Sequence, residues 1–186
     1  MELIQQITAY QLVVPLEKPL RVGGYSIFHR DYCLVEITTS DGRSGHAMAM
    51  SRHANLATAI RDHIAPLWLG QDSSQIEHLW KIAYEKTRLI GRQGLVMRAL
   101  SLADIALWDL KARQANFPLH KLLGGSRPSV PVLMAGGYYA EGKGIKELTS
   151  EFENYLEEGF QHLKLMVGGE SMAADLLRYV ALRKLL

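Results

Sequence analysis

Lys164 is the residue whose type and setting best fit proton-transfer chemistry, because it interrupts a strand-like apolar pattern between Phe160 and Val167. Alternation places Leu163, Leu165 and Val167 on one face of this strand, and Phe160, His162, Lys164 and Met166 on the other. The aliphatic face should meet helices, which turns Lys164 the opposite way. A buried ammonium is costly unless it is paired or transfers a proton. The alternative is a lysine that reaches solvent at the strand end, and spacing alone favours that alternative.

The elements around Lys164 alternate between strand and helix. We predict strands at Val130–Ala135 and Phe160–Val167, and helices at Ile145–Glu158 and Met172–Leu186. This order and spacing imply a parallel sheet with crossover helices. A linker centred on Arg127 precedes these elements. The sequence therefore predicts a domain boundary near residue 127.

The N-terminal part of the chain has a strand pattern of a different kind. Residues 8–14 and 31–39 alternate with a period of two, and a tight turn then leads into a returning strand at Gly45–Met50. Pro15 and Pro19 are expected to end the first strand. The pattern predicts a small antiparallel sheet.

Helices are predicted after this sheet. Apolar residues recur every four positions over Leu56–Ile64, up to Pro66. The segment Ser74-Gln75-Ile76-Glu77 has the pattern of a capping box at a helix start. A longer helix at Leu95–Gln114 is apolar around most of its circumference, so it should be the buried helix of this domain.

Composition fits a folded globular protein. The chain is 48% hydrophobic and 22% charged, with a formal net charge of +2 spread over mixed signs, which gives no electrostatic case for nucleic acid or membrane binding. Its single cysteine, Cys33, is expected to be a small buried hydrophobe. Residues 1–6 lack the features of a secretion signal, and no apolar stretch approaches the roughly 20 residues of a membrane span. We therefore expect a cytoplasmic protein.

Four segments together resemble one known family. They are Ser101-Leu102-Ala103-Asp104-Ile105-Ala106-Leu107-Trp108-Asp109-Leu110-Lys111-Ala112, Pro118-Leu119-His120-Lys121-Leu122-Leu123-Gly124-Gly125, Val130-Pro131-Val132 and Glu158-Gly159-Phe160-Gln161-His162-Leu163-Lys164. In type, order and spacing they resemble the enolase superfamily, in the branch of mandelate racemase and muconate lactonizing enzyme. The resemblance covers essentially the whole chain.

The resemblance implies two domains. Residues 1–127 would form an α+β capping domain, with a three-stranded antiparallel sheet plus helices, and residues 128–186 would be the first βα units of an incomplete (β/α) TIM-like barrel. In the family, three carboxylates on the third, fourth and fifth barrel strands bind Mg²⁺, which stabilises the enediolate that forms when a base removes the proton beside a carboxylate. Mg²⁺ is therefore expected for the full-length parent, with no metal bound by the residues present.

The family also implies roles for the residues around Lys164. Its pattern on the second barrel strand is Lys-x-Lys, and the second lysine is the usual base. Here Lys164 matches the first position, which supports the substrate carboxylate, and Met166 occupies the second. A thioether cannot take a proton at neutral pH. Either the parent uses a base from the other side of the site, or it has lost this chemistry.

Further candidates for substrate contact follow from the family's cap loops, which map near residues 19–30 and 47–55. They are Tyr25, Phe28, His29, Met50, Arg52 and His53. Arg52 could hold a carboxylate in a bidentate fork, although an exposed loop arginine is more often solvated. Tyr138 and Tyr139 follow the first barrel strand and could face substrate or simply pack there. Gly168-Gly169, before the last helix, is a weak candidate for a phosphate site.

Two functions remain open. The first is the front part of a metal-dependent lyase or isomerase that acts on a hydroxy acid or sugar acid, with dehydration ahead of racemization, and that forms a homo-oligomer. On its own, this front part is not expected to complete the reaction. The second is a non-catalytic family member that serves as a structural or interaction module. Met166 favours the second, whereas the family match favours the first.

Overall fold

The computed structural model describes residues 2–185, so Met1 and the predicted helix end at Leu186 lie outside the described residues. The described chain forms two compact units. The first comprises the residues up to Val14 together with Arg30–Ser126. The second comprises Pro15–His29 together with the residues from Arg127 onward.

A three-stranded antiparallel sheet is built in the order β1-β2-β3. The strands are β1 (Ile4–Val22), β2 (Tyr25–Thr39) and β3 (Ser44–Met50). Strands β2 and β3 pair with Tyr32 opposite Met50 and Thr38 opposite Ser44. The sheet predicted from the alternation is confirmed, although β1 and β2 are longer than expected.

Strand β1 continues through Pro15 and Pro19 to Val22, so the prediction that these prolines end the strand is wrong. The physical reason is the position of β1 at an edge of the sheet. There, the missing N–H of a proline can face away from the neighbouring strand. As a result, residues 19–30 form a β-hairpin with a turn at Gly23-Gly24, where a loop was expected.

Six helical segments belong to the first unit. They are α1 (Leu56–Ala59), a π-helical turn (Ile60–Ile64), α2 (Ala65–Trp68), α3 (Ile76–Lys86), α4 (Leu95–Gln114) and α5 (Leu119–Leu122). The predicted bounds and burial of α4 are confirmed. Among residues 2–185, no helix is both long enough and apolar enough to cross a bilayer.

The helical run that begins at Leu56 does not stop at Pro66, as the sequence pattern predicted, but continues to Trp68. The π-helical turn at Ile60–Ile64 explains the difference. After this wider turn, Pro66 occupies the first turn of α2, where a missing N–H removes no hydrogen bond within the helix.

The predicted capping box at Ser74–Glu77 is also wrong. Helix α3 begins at Ile76, and its N-cap residue Gln75 makes no side-chain capping bond. The reason lies in Asp72, whose carboxylate accepts a hydrogen bond of 3.0 Å from the Ser74 amide. Hydrogen bonds from the amide and hydroxyl of Ser74 lower the pKa of Asp72. Ser74 thus closes an Asx turn before the helix instead of capping it.

The core of the first unit lies between the sheet and its helices. Cys33, Val35 and Ile37 of β2 are fully buried, as are Leu56, Ile60, Ile64 and Trp68 and much of α4. The expectation for Cys33 is confirmed, and burial raises the pKa of its thiol. The Trp68 indole donates a hydrogen bond of 2.8 Å to the carbonyl of Leu79, so its one polar group is satisfied inside the core.

The second unit has a two-stranded parallel sheet with two helices. Its strands are β4 (Met134–Gly136) and β5 (Leu163–Leu165), with Ala135 opposite Lys164, and its helices are α6 (Ile145–Glu157) and α7 (Met172–Arg183). Leu163 and Leu165 pack against a small core of Leu148, Phe152 and Leu182. The expected parallel arrangement with crossover helices is confirmed.

Both parallel strands are shorter than predicted. The prediction of a buried strand over Val130–Ala135 is wrong, since Val130 is 71% exposed and only residues 134–136 pair with β5. Val167, predicted to share the helix-facing side with Leu163 and Leu165, is also exposed. A β-strand is stabilised by the strands that it pairs with and by the residues that pack on its faces. Because β4 and β5 pair over only three residues, neither strand extends further.

Candidate functional site

Lys164 lies at the centre of β5 and is exposed. Its neighbours Leu163 and Leu165 are packed toward α6 and α7. Because successive side chains leave a strand on opposite faces, Lys164 leaves on the face away from the helices. Met166 follows it and is half-buried, and its amide donates a hydrogen bond of 3.0 Å to the carbonyl of Gly136.

An arginine on α7 joins the ends of both strands. The guanidinium of Arg178 donates to the carbonyl of Met166 at 3.1 Å and to the carbonyl of Gly137. Arg178 also pairs with Asp175, one helical turn earlier, at 3.1 Å. This contact fixes the backbone beside Lys164 and Met166. This contact could not be predicted from the sequence, because an arginine in an amphipathic helix is ordinarily a surface residue.

Two tyrosines, Tyr138 and Tyr139, follow β4, and Tyr139 is the one that is buried. Its side chain is buried, its ring lies 3.8 Å from the Arg178 guanidinium, and its hydroxyl donates to Asp175. Burial, followed by this hydrogen bond, raises the pKa of Tyr139, and the same bond lowers the pKa of Asp175. Tyr138 is half-buried.

The glycine pair before α7 does not fit a phosphate site. The amide of Gly168 already donates to the Asp175 carboxylate at 2.7 Å. A side chain at Gly169 would collide with the Tyr139 ring, which lies 2.4 Å from the position of a Cβ. The anion that the amide binds at this turn is therefore the Asp175 carboxylate.

A second carboxylate lies at the end of β4. Glu151 of α6 accepts a hydrogen bond of 2.8 Å from the Tyr155 hydroxyl, lies 3.3 Å from the Gly137 amide, and pairs with Lys143 at 2.5 Å. Burial, followed by the Glu151 contact, raises the pKa of Tyr155 to about 12. Glu151 and Asp175 each carry a cationic partner. This donor set does not fit Mg²⁺, which prefers carboxylates with open oxygen positions.

The β1–β2 hairpin contributes a cavity to the second unit. Arg21 and Tyr139 exchange backbone hydrogen bonds of 2.8 and 3.0 Å, and Arg21 also pairs with Glu170. Arg21, Ser26, Phe28, Tyr139 and Glu141 line a cavity of about 330 Å³. Its lining combines one guanidinium, one carboxylate, the hydroxyls of Ser26 and Tyr139 and two aromatic rings, a mixture that suits a small polar ligand. Phe28 was among the predicted contact residues, whereas Arg21, Ser26 and Glu141 were not. Arg21 and Ser26 lie on strands that were not expected there, and Glu141 lies in a turn.

The remaining predicted residues divide between the units. Tyr25, which is exposed, and His29, which is half-buried, belong to the second unit, whereas Arg52 and His53 belong to the first and are both exposed. Met50 ends β3 in the first unit, and its carbonyl accepts a hydrogen bond from Arg98 of α4.

The motif Trp108-Asp109 in α4 has a structural role in the first unit. The Asp109 carboxylate accepts hydrogen bonds from the His46 amide of β3 at 2.8 Å and from Arg113 at 2.6 Å. It therefore holds β3 on α4, which accounts for the position of the aspartate without any catalytic role.

The first unit is an antiparallel sheet with helices, and the second has the parallel strands and helices with which a (β/α) barrel begins. This combination is typical of the class of enzymes that join a capping domain to a barrel. Residues 5–124 match the mandelate racemase / muconate lactonizing enzyme N-terminal domain. The chain belongs to this family of the enolase superfamily, which confirms the resemblance and the fold class.

Several named proteins are similar to this chain. Arabinonate dehydratase of Saccharolobus solfataricus is 35% identical over 167 residues, which are 89% of this chain and 45% of that protein. A D-mannonate dehydratase of Rhizorhabdus wittichii is 34% identical over 148 residues, which are 78% of this chain and 36% of that protein. The chain thus spans less than half the length of these relatives.

Solved structures agree with this picture. A racemase from Streptomyces coelicolor with bound magnesium is 32% identical, with a TM-score of 0.89 over 98% of this chain and 52% of its own. L-talarate/galactarate dehydratase from Salmonella typhimurium, liganded with Mg and L-lyxarohydroxamate, is 27% identical, with a TM-score of 0.88 over 98% of this chain and 49% of its own.

Proposed function

We propose that this chain is the front part of a metal-dependent dehydratase that acts on a sugar acid. The carrying observation is Lys164, which stands on the face of β5 opposite the helix-packed leucines, in a chain whose relatives include arabinonate and D-mannonate dehydratases. In this proposal residues 1–127 are the cap and residues 128–186 begin the barrel. The parent protein is a cytoplasmic homo-oligomer.

Lys164 supports the substrate carboxylate in this function. An ammonium is a compact point charge with three donors, so it can bind one carboxylate oxygen and draw its charge away from the reacting carbon. The backbone that carries it is fixed by Arg178 at Met166. Tyr25, His29, Arg52, His53 and Tyr138 are the proposed residues for substrate selection.

The base that removes the proton is not Met166, because a thioether sulfur does not accept a proton at neutral pH. The proton beside the carboxylate therefore passes to a base elsewhere in the parent. The hydroxyl of the neighbouring carbon takes a proton from an acid of the parent and leaves as water, and the remaining enol tautomerises to the 2-keto-3-deoxy acid. Mg²⁺ supplies stabilisation of the enediolate when bound. Asp175 and Glu151 do not hold this ion, since each is committed to a cation and to backbone amides.

A non-catalytic module is the second candidate, and Met166 is the observation that favours it. Such a protein would keep the cap and its packing while lacking proton abstraction on this side of the site. The two candidates differ in a simple measurement, since a module would bind partners without turning over any sugar acid.

The test uses protein purified from its native source, with its intact mass measured first. The sample is incubated with arabinonate and mannonate in the presence of Mg²⁺ or EDTA, and the 2-keto-3-deoxy product is quantified. We expect a mass about twice that of the 20.8 kDa chain and dehydration that EDTA abolishes. A mass near 20.8 kDa with no turnover would favour the module. Conversion of an acid to its epimer without loss of water would favour racemization.

A further inference from the structure

The side chain of Tyr139 is the point at which three separate segments of the second unit meet. The Arg178 guanidinium of α7 lies 3.8 Å from the centre of its ring, and the Arg21 guanidinium of the β1–β2 hairpin lies 5.4 Å from it. The backbone of Gly169, after β5, lies so close to the ring that there is no room for a Cβ. One buried ring therefore contacts the hairpin, the turn after β5 and α7.

The charges around this ring are balanced in pairs. Two guanidiniums beside one ring repel each other, and each is paired with its own carboxylate: Arg178 with Asp175 at 3.1 Å, and Arg21 with Glu170. The Tyr139 hydroxyl donates to Asp175. The ring attracts both cations through its π electrons, and the carboxylates reduce the repulsion between them. The ring, its hydroxyl and the two ion pairs thus form one connected network.

The same network reaches the strand that carries Lys164. Arg178 donates to the carbonyls of Met166 and Gly137, the residues that follow β5 and β4. Strand β5 has only three residues, with Lys164 in the middle, so its position depends on the contacts that hold its ends. The contacts that fix the Arg178 guanidinium therefore also fix the backbone beside Lys164.

The hairpin is joined to Tyr139 through its backbone as well. The Arg21 amide donates to the Tyr139 carbonyl at 2.8 Å, and the Tyr139 amide donates to the Arg21 carbonyl at 3.0 Å. A movement of the hairpin at Arg21 would act on the ring through this backbone pair and through the guanidinium. The hairpin and the end of β5, which are far apart in sequence, are thus linked through one residue.

We propose that Tyr139 is a positioning residue that couples the β1–β2 hairpin at Arg21 to the strand that presents Lys164. Its ring holds Arg178 across the ends of β4 and β5, and its backbone holds the hairpin. A change at Arg21 therefore alters the freedom of the Lys164 backbone. The contact of Lys164 with a substrate carboxylate rests on the proposed function, whereas the coupling does not.

The coupling is tested by hydrogen exchange of the full chain, with the amides of Met166 and Gly168 as reporters. The first donates to a carbonyl of β4, and the second donates to the carboxylate of Asp175. Arg21→Met should accelerate their exchange roughly threefold, the loss expected for one partly exposed cation–π contact. The Arg21 side chain is 44% exposed, so this variant keeps the core of the unit. Lys18→Met, at an exposed cation of β1 in the same unit, should leave both rates unchanged.

The role of the ring is tested by repeating Arg21→Met in two variants of Tyr139. Tyr139→Phe keeps the ring and loses the hydroxyl, so the effect of Arg21→Met should persist. Tyr139→Leu removes the ring, so Arg21→Met should add nothing further. The amide of Phe152, in the core of α6, reports opening of the unit as a whole. If Arg21→Met accelerated exchange equally at Phe152 and Met166, it would destabilise the whole unit and the coupling would be overturned.

Two further readouts separate positioning from a merely structural role. Arg21→Lys keeps a cation for the ring and should restore most of the protection that Arg21→Met removes. The amide resonance of Lys164 should move in Arg21→Met and stay in place in Lys18→Met. Unchanged exchange at Met166 in Arg21→Met would overturn the proposal even if the Tyr139 variants failed to fold. Failure of the proposed function would appear separately, as absent dehydration by the native protein while the coupling persists.

Discussion

Gly45 of β3 lies directly against Leu110 of α4. A Cβ placed on Gly45 would come within 2.4 Å of the Leu110 backbone nitrogen and 2.3 Å of the Ala106 carbonyl oxygen. Real side chains do not approach backbone this closely, so glycine sets the distance between the sheet and its buried helix. The Asp109 carboxylate holds the adjacent His46 amide in the same place.

Gly45→Ala should therefore lower the free energy of unfolding by about 3 kcal/mol, at the upper end of overpacking costs, because backbone cannot move aside as a side chain can. Urea denaturation followed by circular dichroism measures this change. Gly24→Ala is the matched control, since a Cβ there meets nothing within 4 Å. If both variants had equal stability, the close contact would not be limiting.

Asp104 of α4 should make stability depend on pH. Burial, followed by the charge of Glu77, raises the pKa of Asp104 to about 6. A carboxyl whose pKa is raised by folding stabilises the fold while it is protonated. That contribution is fully present below the ordinary value of 3.8 and is lost as the pH rises through about 6.

At pH values well above the Asp104 pKa of about 6, Asp104→Asn should therefore have a higher free energy of unfolding than the unaltered protein. We expect a difference of about 1 kcal/mol after allowance for solvent screening at this half-exposed site. The difference should vanish in acid, as measured by denaturation over a pH series. Asp62→Asn should show the opposite sign, because the hydrogen bond from Arg61 lowers the pKa of Asp62. A gain for Asp104→Asn that did not change with pH would rule out this explanation.

Arg178 should be required for order at the ends of β4 and β5. Arg178→Met removes the donors to the carbonyls of Met166 and Gly137 and leaves Asp175 without its cation. We expect a loss of about 2 to 3 kcal/mol, because buried acceptors lose their partners. Hydrogen exchange should accelerate at Met166 and Gly168. Arg183→Met, at the exposed end of the same helix, should have little effect, and equal acceleration in both variants would contradict this role.

The exposed apolar residues of α7 should promote self-association. Leu176, Leu177 and Tyr179 are 59%, 65% and 53% exposed, and contiguous apolar surface of this kind favours aggregation or docking. Leu177→Lys should reduce light scattering of concentrated protein without lowering the unfolding temperature. Thr149→Lys, on α6, is a control for the added charge. Unchanged scattering in Leu177→Lys would place the association elsewhere.

Mg²⁺ in the millimolar range should leave the unfolding temperature of this chain unchanged, because Asp175 and Glu151 are already paired with Arg178 and Lys143. Differential scanning calorimetry with and without the ion measures this. Stabilisation by Mg²⁺ but not by an equal ionic strength of NaCl would show that the chain does hold a divalent cation.

The sequence predicted the elements better than their ends. Periodicity located β2, β3 and α4 because a half-buried strand and a buried helix leave distinct apolar spacings. It failed at Pro19 and Pro66, where the edge position of β1 and a π-helical turn removed the usual penalty of proline. Neither condition is visible in local sequence.

The candidate site shows the same limit. Lys164 could be predicted as a candidate from its place in an alternating strand, and Arg52 and His53 could be predicted from the family's cap loops. Arg178 could not, because its contact with the Met166 carbonyl joins residues twelve positions apart. An arginine is also an ordinary residue for an amphipathic helix.

The two compact units are interleaved along the chain, since residues 15–29 fall with the later unit while their neighbours on both sides fall with the earlier one. A genetic exchange at the boundary near residue 127 would therefore never transfer the later unit whole. Arg21 would stay behind while Tyr139 and Glu170 moved. Recombination between family members should succeed only when the hairpin and the barrel come from the same parent, which couples the inheritance of two distant stretches of the gene.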